Sequence, residues 1–209
     1  MITIIIPNYN KELYLKELLD SLNKQLNNQC EIIFIDDGST DKSVSIIKEH
    51  PIYKKENFNF IENKTSLWVS FCRNLGITKA KGDYITFMDS DDVALDNYIE
   101  TLIKYSTLNH NVCVFDYLNI PVDGSSADEI EKADNPMCWL RLYKKQFLLE
   151  NNLFFLEKWK EIGFGEDYDF NERVVASTED IYITNDVIYG YHWGIANSLS
   201  NTHKKVDNN

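Results

Sequence analysis

The 209-residue chain is 44% hydrophobic and 26% charged, the balance of a soluble globular protein with enough length for one sizeable core. Its formal net charge of −12 disfavours nucleic acid and anionic membrane surfaces as partners, because both are bound through basic surface. Cys30, Cys72, Cys113 and Cys138 form no C-x-x-C pair, which argues against a thiolate zinc site and reads as reduced, buried thiols of a cytoplasmic protein.

The opening "MITIIIPNYN" has a short apolar run without a basic leader, so it reads as a strand rather than a signal peptide. No window reaches the ~18 apolar residues of a transmembrane helix. "ITIII" (2–6) predicts a strand buried on both faces that breaks at Pro7. Leu15, Leu18, Leu19, Leu22 and Leu26 follow helical spacing, with Asn10 as the expected N-cap. "EIIFI" (31–35) predicts a second buried strand, followed by a short helix near 41–49 and a third strand at "FNFIEN" (58–63). Leu67, Phe71 and Leu75 mark a helix that "AKGD" ends, with Gly82 expected as a left-handed cap. "YITFM" (84–88) is the fourth strand, and a helix over about 96–107 follows.

Strand and helix alternating with short connections predict right-handed crossovers and a mostly parallel sheet with helices on both faces. The second half is less regular. It contains a strand at 112–118, a polar loop at 121–136, helices at 144–151 and 166–177, and two strands in "DIYIT" and "DVIYGYHW". The tail 201–209 has little to pack.

In such a sheet ligands bind beyond the carboxyl ends of the strands. "PNYN", "DDGSTD" and "DSDD" all fall at strand ends and so share one edge. No Lys or Arg lies between Asp83 and Lys104 to neutralise the last cluster. Asp36, Asp37, Asp89, Asp91 and Asp92 on one rim therefore suggest a hard cation, Mg²⁺ or Mn²⁺, held with substrate phosphates. Capping and turn formation are the alternative, and they suit Asp41 and Asp96. A D-x-D-G phosphatase motif is not met because Ile35 precedes Asp37 by two, and no Gly-rich phosphate loop occurs.

"IIIPNYN", "IIFIDDGSTD", "RNLGITKAKGDYITFMDSDD" and "GEDYDF" together resemble the successive motifs of the family 2 glycosyltransferases, continuously over about residues 1–100 and in pieces to about 200. The resemblance implies a GT-A fold, Rossmann-like, in a single domain. Residues 1–110 would bind the nucleotide sugar and the irregular 111–200 the acceptor. By the same resemblance Pro7 and Tyr9 would line the base pocket, Asp37 would accept from the base and Arg73 would position the donor. Asp89-Ser90-Asp91 is the D-x-D element, with Asp91 the direct metal ligand, Asp89 toward ribose or metal, and Asp92 in support. Asp167 matches the catalytic base, with Glu166 beside it near the acceptor, and His192 is a candidate for reaching the metal or the diphosphate, with a structural role beside Trp193 as the alternative.

The chain departs from the pattern in "NKTSLWVSFCRN", where relatives carry a glycine and a small residue, and in "CWLRLYKKQFL", where Arg141 replaces a lysine. The implied reaction is inverting transfer of a sugar from a nucleotide diphosphate, UDP favoured, to a glycan, glycolipid or protein acceptor. A decayed nucleotide-sugar-binding module would need neither Asp91 nor Asp167, and both are present. A nucleotidyltransferase would want a Gly-rich basic loop where "PNYNKE" stands. Acceptor contacts are expected from 121–136 and 156–165, and the location from cytoplasm to the inner membrane face.

Overall fold

The computed structural model describes residues 1–123, 130–131, 137–163 and 165–195. The first half runs β1 (Ile2–Asn8), α1 (Leu15–Gln25), β2 (Cys30–Asp36), α2 (Ser43–Glu49), β3 (Phe58–Glu62), α3 (Val69–Lys79), β4 (Tyr84–Phe87), β5 (Val93–Ala94) and α4 (Tyr98–Ser106). The second half continues β6 (Val112–Pro121), β7 (Ile130–Glu131), β8 (Arg141–Lys144), α5 (Lys145–Glu150), α6 (Trp159–Ile162), α7 (Glu166–Ala176) and β9 (Ile181–Trp193).

The sheet order is β3-β2-β1-β4-β8-β6-β9-β5, with β7 also paired to β6. β3, β2, β1 and β4 are parallel, as the alternating pattern predicts. β8 then enters antiparallel to both β4 and β6, so the sheet as a whole is mixed rather than mostly parallel. The two expected C-terminal strands are one 13-residue strand, β9, which follows β6 in parallel across a register irregularity near Asp116.

Apolar residues on both faces of the central strands divide by parity into two cores. Ile2, Ile4 and Ile6 join Ile32 and Phe34 under α1, α2 and α4. Ile5 joins Ile33, Ile35, Ile85 and Phe87 under α3, α5 and α7. Each fully buried side chain of this size contributes about 1.5–3 kcal/mol, so the central strands anchor the fold. All four cysteines are buried and free.

Three local expectations need correction. β1 does not stop at Pro7, which pairs with Ile35 inside the strand. Ile5 O accepts from Met88 N, so Pro7, two residues on, turns to the same side beyond the end of β4, and no ladder donor is missed. Asn10 does not cap α1, whose N-cap position is Tyr14. It lies at φ 53 and accepts from Thr40 N at 2.7 Å, tying the loop after β1 to the loop after β2. Gly82 is not left-handed; a Cβ there would fall 2.7 Å from Thr3 N, so close approach to β1 is what requires glycine.

α3 buries Ser70, Cys72, Arg73, Gly76 and Ile77 rather than the expected 67/71/75 stripe, and Leu67 precedes the helix. Gly76 lets α3 approach β1: a Cβ would lie 2.4 Å from Ile5 Cγ2, which is branched and buried and cannot move aside. Gly76→Ala is expected to destabilise by about 1–3 kcal/mol through overpacking, lowering Tm by roughly 2–4 °C per kcal/mol. An unchanged denaturation midpoint would show that α3 can shift outward freely.

Candidate active site

The carboxyl ends of β1, β2 and β4 do converge, but the five aspartates there have three different fates. Asp36 is fully buried and accepts from Asn8 Nδ2 at 2.7 Å and from Ser39 N and Oγ at 2.9 and 2.6 Å. It holds the two loops together. Asp92 is equally enclosed, accepting from Tyr189 OH at 2.6 Å and His192 N at 2.8 Å. Burial, then the nearby charges of Asp91 and Asp89, push its carboxyl well above the usual range.

Asp37 engages the segment between β3 and α3. It accepts from Asn63 Nδ2 (2.9 Å), Ser66 Oγ (2.7 Å), Leu67 N (2.9 Å) and Trp68 N (2.9 Å). Burial alone would raise its pKa, but these donors outweigh it and hold the carboxyl below the ordinary range. Beneath this segment Gly38, at φ 76, leaves room that a Cβ would close to 2.9 Å from Thr65 C. Trp68 itself adopts φ 86, ψ 154, a region essentially restricted to glycine. That conformation is the physical reason a glycine suits this stretch, and the Asp37 hydrogen bonds hold the strained turn.

Asp89 and Asp91 alone of the five keep accessible edges, with side chains 30% and 15% exposed. The structure supplies cations for both from elsewhere in the chain. Arg73 Nη2 is 3.1 Å from Asp89 Oδ1, and Lys11 Nζ is 2.5 Å from Asp91 Oδ2. Ser90 between them is buried, whereas Tyr9, just beyond β1 and buried Pro7, is half-exposed. His192 is placed against the cluster through its Nδ1, 2.5 Å from Asp91 O, with Nε2 3.7 Å from Glu17. Among the described residues no three His, Cys, Asp or Glu side chains converge to cage an ion. Asp89 and Asp91 are an oxygen-only pair, which suits Mg²⁺ or Mn²⁺ bound by one or two carboxylates together with a diphosphate.

The second acidic group arrives from α7. Gly165, at φ 95, turns the chain into the helix, and Glu166 and Asp167 occupy its first turn. Arg73 Nη1 lies 3.0 Å from Glu166 Oε1 and 2.5 Å from Asp167 Oδ1, so one guanidinium, only 3% exposed, joins α7 to the end of β4. Phe155 supports this bridge from below. Arg73 sits 5.1 Å over its ring, Phe170 of α7 stacks on it at 4.1 Å, and Asn74 makes two 2.8 Å bonds to its backbone. Cys138 Sγ adds a contact to Asp167 Oδ1 at 3.3 Å.

Burial, reinforced by Glu166 and Asp89 and opposed by Arg73, pushes Asp167 up to about 7. Burial also raises Asp89 against the pull of Arg73. Arg73 is held charged in spite of its burial, with Asp167 the leading carboxylate against it.

Lys11, Cys138, Phe155 and Tyr189 are not assigned to the site by the sequence reading, which takes Cys138 only as a buried thiol. Tyr189 OH accepts from Asp89 N at 3.1 Å as well as donating to Asp92, and Trp139 stacks on its ring at 4.4 Å. "CWLRLY" therefore reaches the aspartates through an aromatic pair. Only the alternation of aromatic residues along β9 hinted at this.

The parallel half of the sheet, β3-β2-β1-β4, thus carries the accessible Asp89 and Asp91 at its carboxyl edge and meets α7 through Arg73, the arrangement of an α/β enzyme with its site at the strand ends. The family model for glycosyl transferase family 2 matches residues 3–163, and the chain belongs to that family. It is 35% identical to an uncharacterized glycosyltransferase of Haemophilus influenzae, over 81% of this chain and 70% of that protein. Glycosyltransferase GlyA of Streptococcus pneumoniae is 30% identical over 91% of this chain, which spans 30% of GlyA. The fold matches Staphylococcus aureus TarS 1–349 in complex with UDP-GlcNAc with a TM-score of 0.80 at 22% identity, covering 95% of this chain and 60% of that one. A mannosyltransferase from Pyrobaculum calidifontis, in complex with GDP-Man and Mn²⁺, matches with a TM-score of 0.70 at 16% identity, over 94% of this chain and 58% of that one.

Proposed function

We propose that the chain is an inverting, metal-dependent glycosyltransferase that moves a sugar, hexosyl or N-acetylhexosaminyl, from a nucleotide-diphosphate donor to an acceptor hydroxyl in polysaccharide or glycoconjugate synthesis. The observation that carries the reading is the Arg73 bridge, which brings a raised-pKa carboxylate, Asp167, to the same site as the D-x-D aspartates. UDP is the favoured nucleotide, supported by the UDP-GlcNAc complex of TarS. Residues 1–110 supply the donor side and 111–200 the acceptor side. The described parts of the expected acceptor segments are 121–123, 130–131, 156–163 and 165. The tail 201–209 lies outside the described residues. No described helix is long and apolar enough to cross a membrane.

In this reading Asp167 takes the proton from the attacking hydroxyl as the acceptor oxygen bonds to the anomeric carbon and the diphosphate leaves. Glu166, fixed by Arg73, shapes the acceptor side and keeps Asp167 from ionising too readily. Asp91 and Asp89 would hold Mn²⁺ or Mg²⁺, which neutralises charge on the leaving diphosphate. Tyr9 stacks on the base above Pro7, and Ser90 belongs with Asp89 to the nucleotide-binding residues of the D-x-D element. For Asp37 to accept from the base, a donor from 63–68 must give way, since four groups already occupy it. His192 acts from the Asp91 side, its Nδ1 already engaged.

Calorimetric titration with UDP, with Mn²⁺ and with EDTA, tests this on wild type and Asp91→Ala. Metal-dependent binding that the substitution abolishes is the expected result. Equal binding in Mn²⁺ and EDTA would instead indicate a nucleotide module without metal chemistry.

A further inference from the structure

Among the described residues, the acidic edge contains two Lys or Arg cations with opposite freedom. Arg73 is 3% exposed, contacts three carboxylates and lies on an aromatic ring, so moving it would strand buried charges. Lys11 makes one such contact, to Asp91, and its side chain is 22% exposed. Its root is fixed: Lys11 N donates to Ser43 Oγ at 3.1 Å, and its carbonyl accepts from Tyr14 N at 3.0 Å and Leu15 N at 3.2 Å. The flexible four-carbon stem and rotatable ammonium beyond that root can change partner without disturbing the loop.

We propose that Lys11 is the exchangeable cation of the donor site: it neutralises Asp91 while no donor is present, yields that carboxylate to the incoming divalent ion, and turns onto the diphosphate. The proposal rests on the reading of Asp89 and Asp91 as a metal–diphosphate site. Lys11 and the metal ion are then rivals for the same Asp91 oxygens, and partners once the diphosphate supplies a second anion. Its negative oxygens would give the displaced ammonium a charge-assisted hydrogen bond in place of the one it lost. Lys11 is accordingly a positioning residue in the free protein and a diphosphate contact in the complex.

The two roles have opposite signs in binding, which makes them testable. Mn²⁺ affinity is measured without nucleotide, and UDP affinity at saturating Mn²⁺, for wild type, Lys11→Gln, Lys11→Arg and Asp91→Asn. Lys11→Gln is expected to bind Mn²⁺ alone about 3–5-fold more tightly, the upper range for a partly exposed ion pair. It should bind UDP with Mn²⁺ about 10–100-fold more weakly, the scale of a hydrogen bond to a charged group. Lys11→Arg, which keeps the charge, should recover most of the UDP affinity. If Lys11→Gln weakens Mn²⁺ binding or leaves it unchanged, Lys11 merely orients Asp91 and the exchange is wrong. Unchanged UDP affinity in Lys11→Gln also overturns it. Asp91→Asn separates the two levels, because full UDP and Mn²⁺ binding in that variant would overturn the metal-site reading itself.

Discussion

Asp167→Asn should lower kcat by about 10²–10⁴-fold, the range of a positioned general base, while leaving nucleotide affinity within a few-fold of wild type. The amide is isosteric and keeps an acceptor for Arg73, so the fold is preserved and only proton abstraction is lost. The pH profile makes the assignment specific. Asp167 must be deprotonated to act, and burial pushes it up to about 7, so kcat/KM should rise with pH along a limb near that value and then level off. Stability moves the other way. The folded state holds this proton more tightly than the unfolded chain, so the associated stability is complete below the ordinary carboxylate range near 4 and is lost as pH rises through about 7. An Asn variant with wild-type turnover, or a flat profile between pH 5 and 8, would remove Asp167 from the mechanism.

Arg73→Met carries the largest expected stability effect. It leaves Asp89, Glu166 and Asp167 facing one another without their shared cation. Removing one member of a buried ionic group costs about 3–5 kcal/mol, roughly 10 °C in Tm for a chain of this size. The loss should be greatest near pH 8, where Asp167 is ionised, and smaller near pH 5, where its protonation relieves the repulsion. Whatever activity survives should have its ascending limb displaced to higher pH, because the charge that lowers the Asp167 pKa is gone. Arg73→Lys would rescue this only in part, since one ammonium cannot reproduce a planar fork reaching three carboxylates. Equal thermal midpoints for wild type and Arg73→Met at pH 8 would mean that the bridge contributes nothing to the fold.

The same bridge shows why the site was only half legible in the residues. "DSDD" was recognisable as a charge cluster at a strand end, and its lack of a nearby cation raised the right question. The answer lay 16 residues away at Arg73 and 80 residues away at Lys11, joined through crossovers that no local pattern encodes. Conversely, five aspartates at strand ends suggested one shared rim. Register and loop hydrogen bonds assign Asp36, Asp37 and Asp92 to the chain's own donors instead, leaving Asp89 and Asp91 at the opening. Gly82 and Asn10 were misplaced for a related reason. Each satisfies a contact with a distant strand or loop rather than the helix end its neighbours suggest.

The sequence by itself determined the alternation of β and α elements, the two-faced burial of the central strands and the edge on which polar chemistry collects. These depend on side-chain periods of about 2 and 3.6 residues and on burial, which are written locally. Only the tertiary structure decided that β8 enters antiparallel, that β9 is continuous, and which carboxylates meet which cations. Those outcomes turn on backbone pairing and on the approach of side chains separated by tens of residues, where ångström-scale geometry, not residue type, selects the partner.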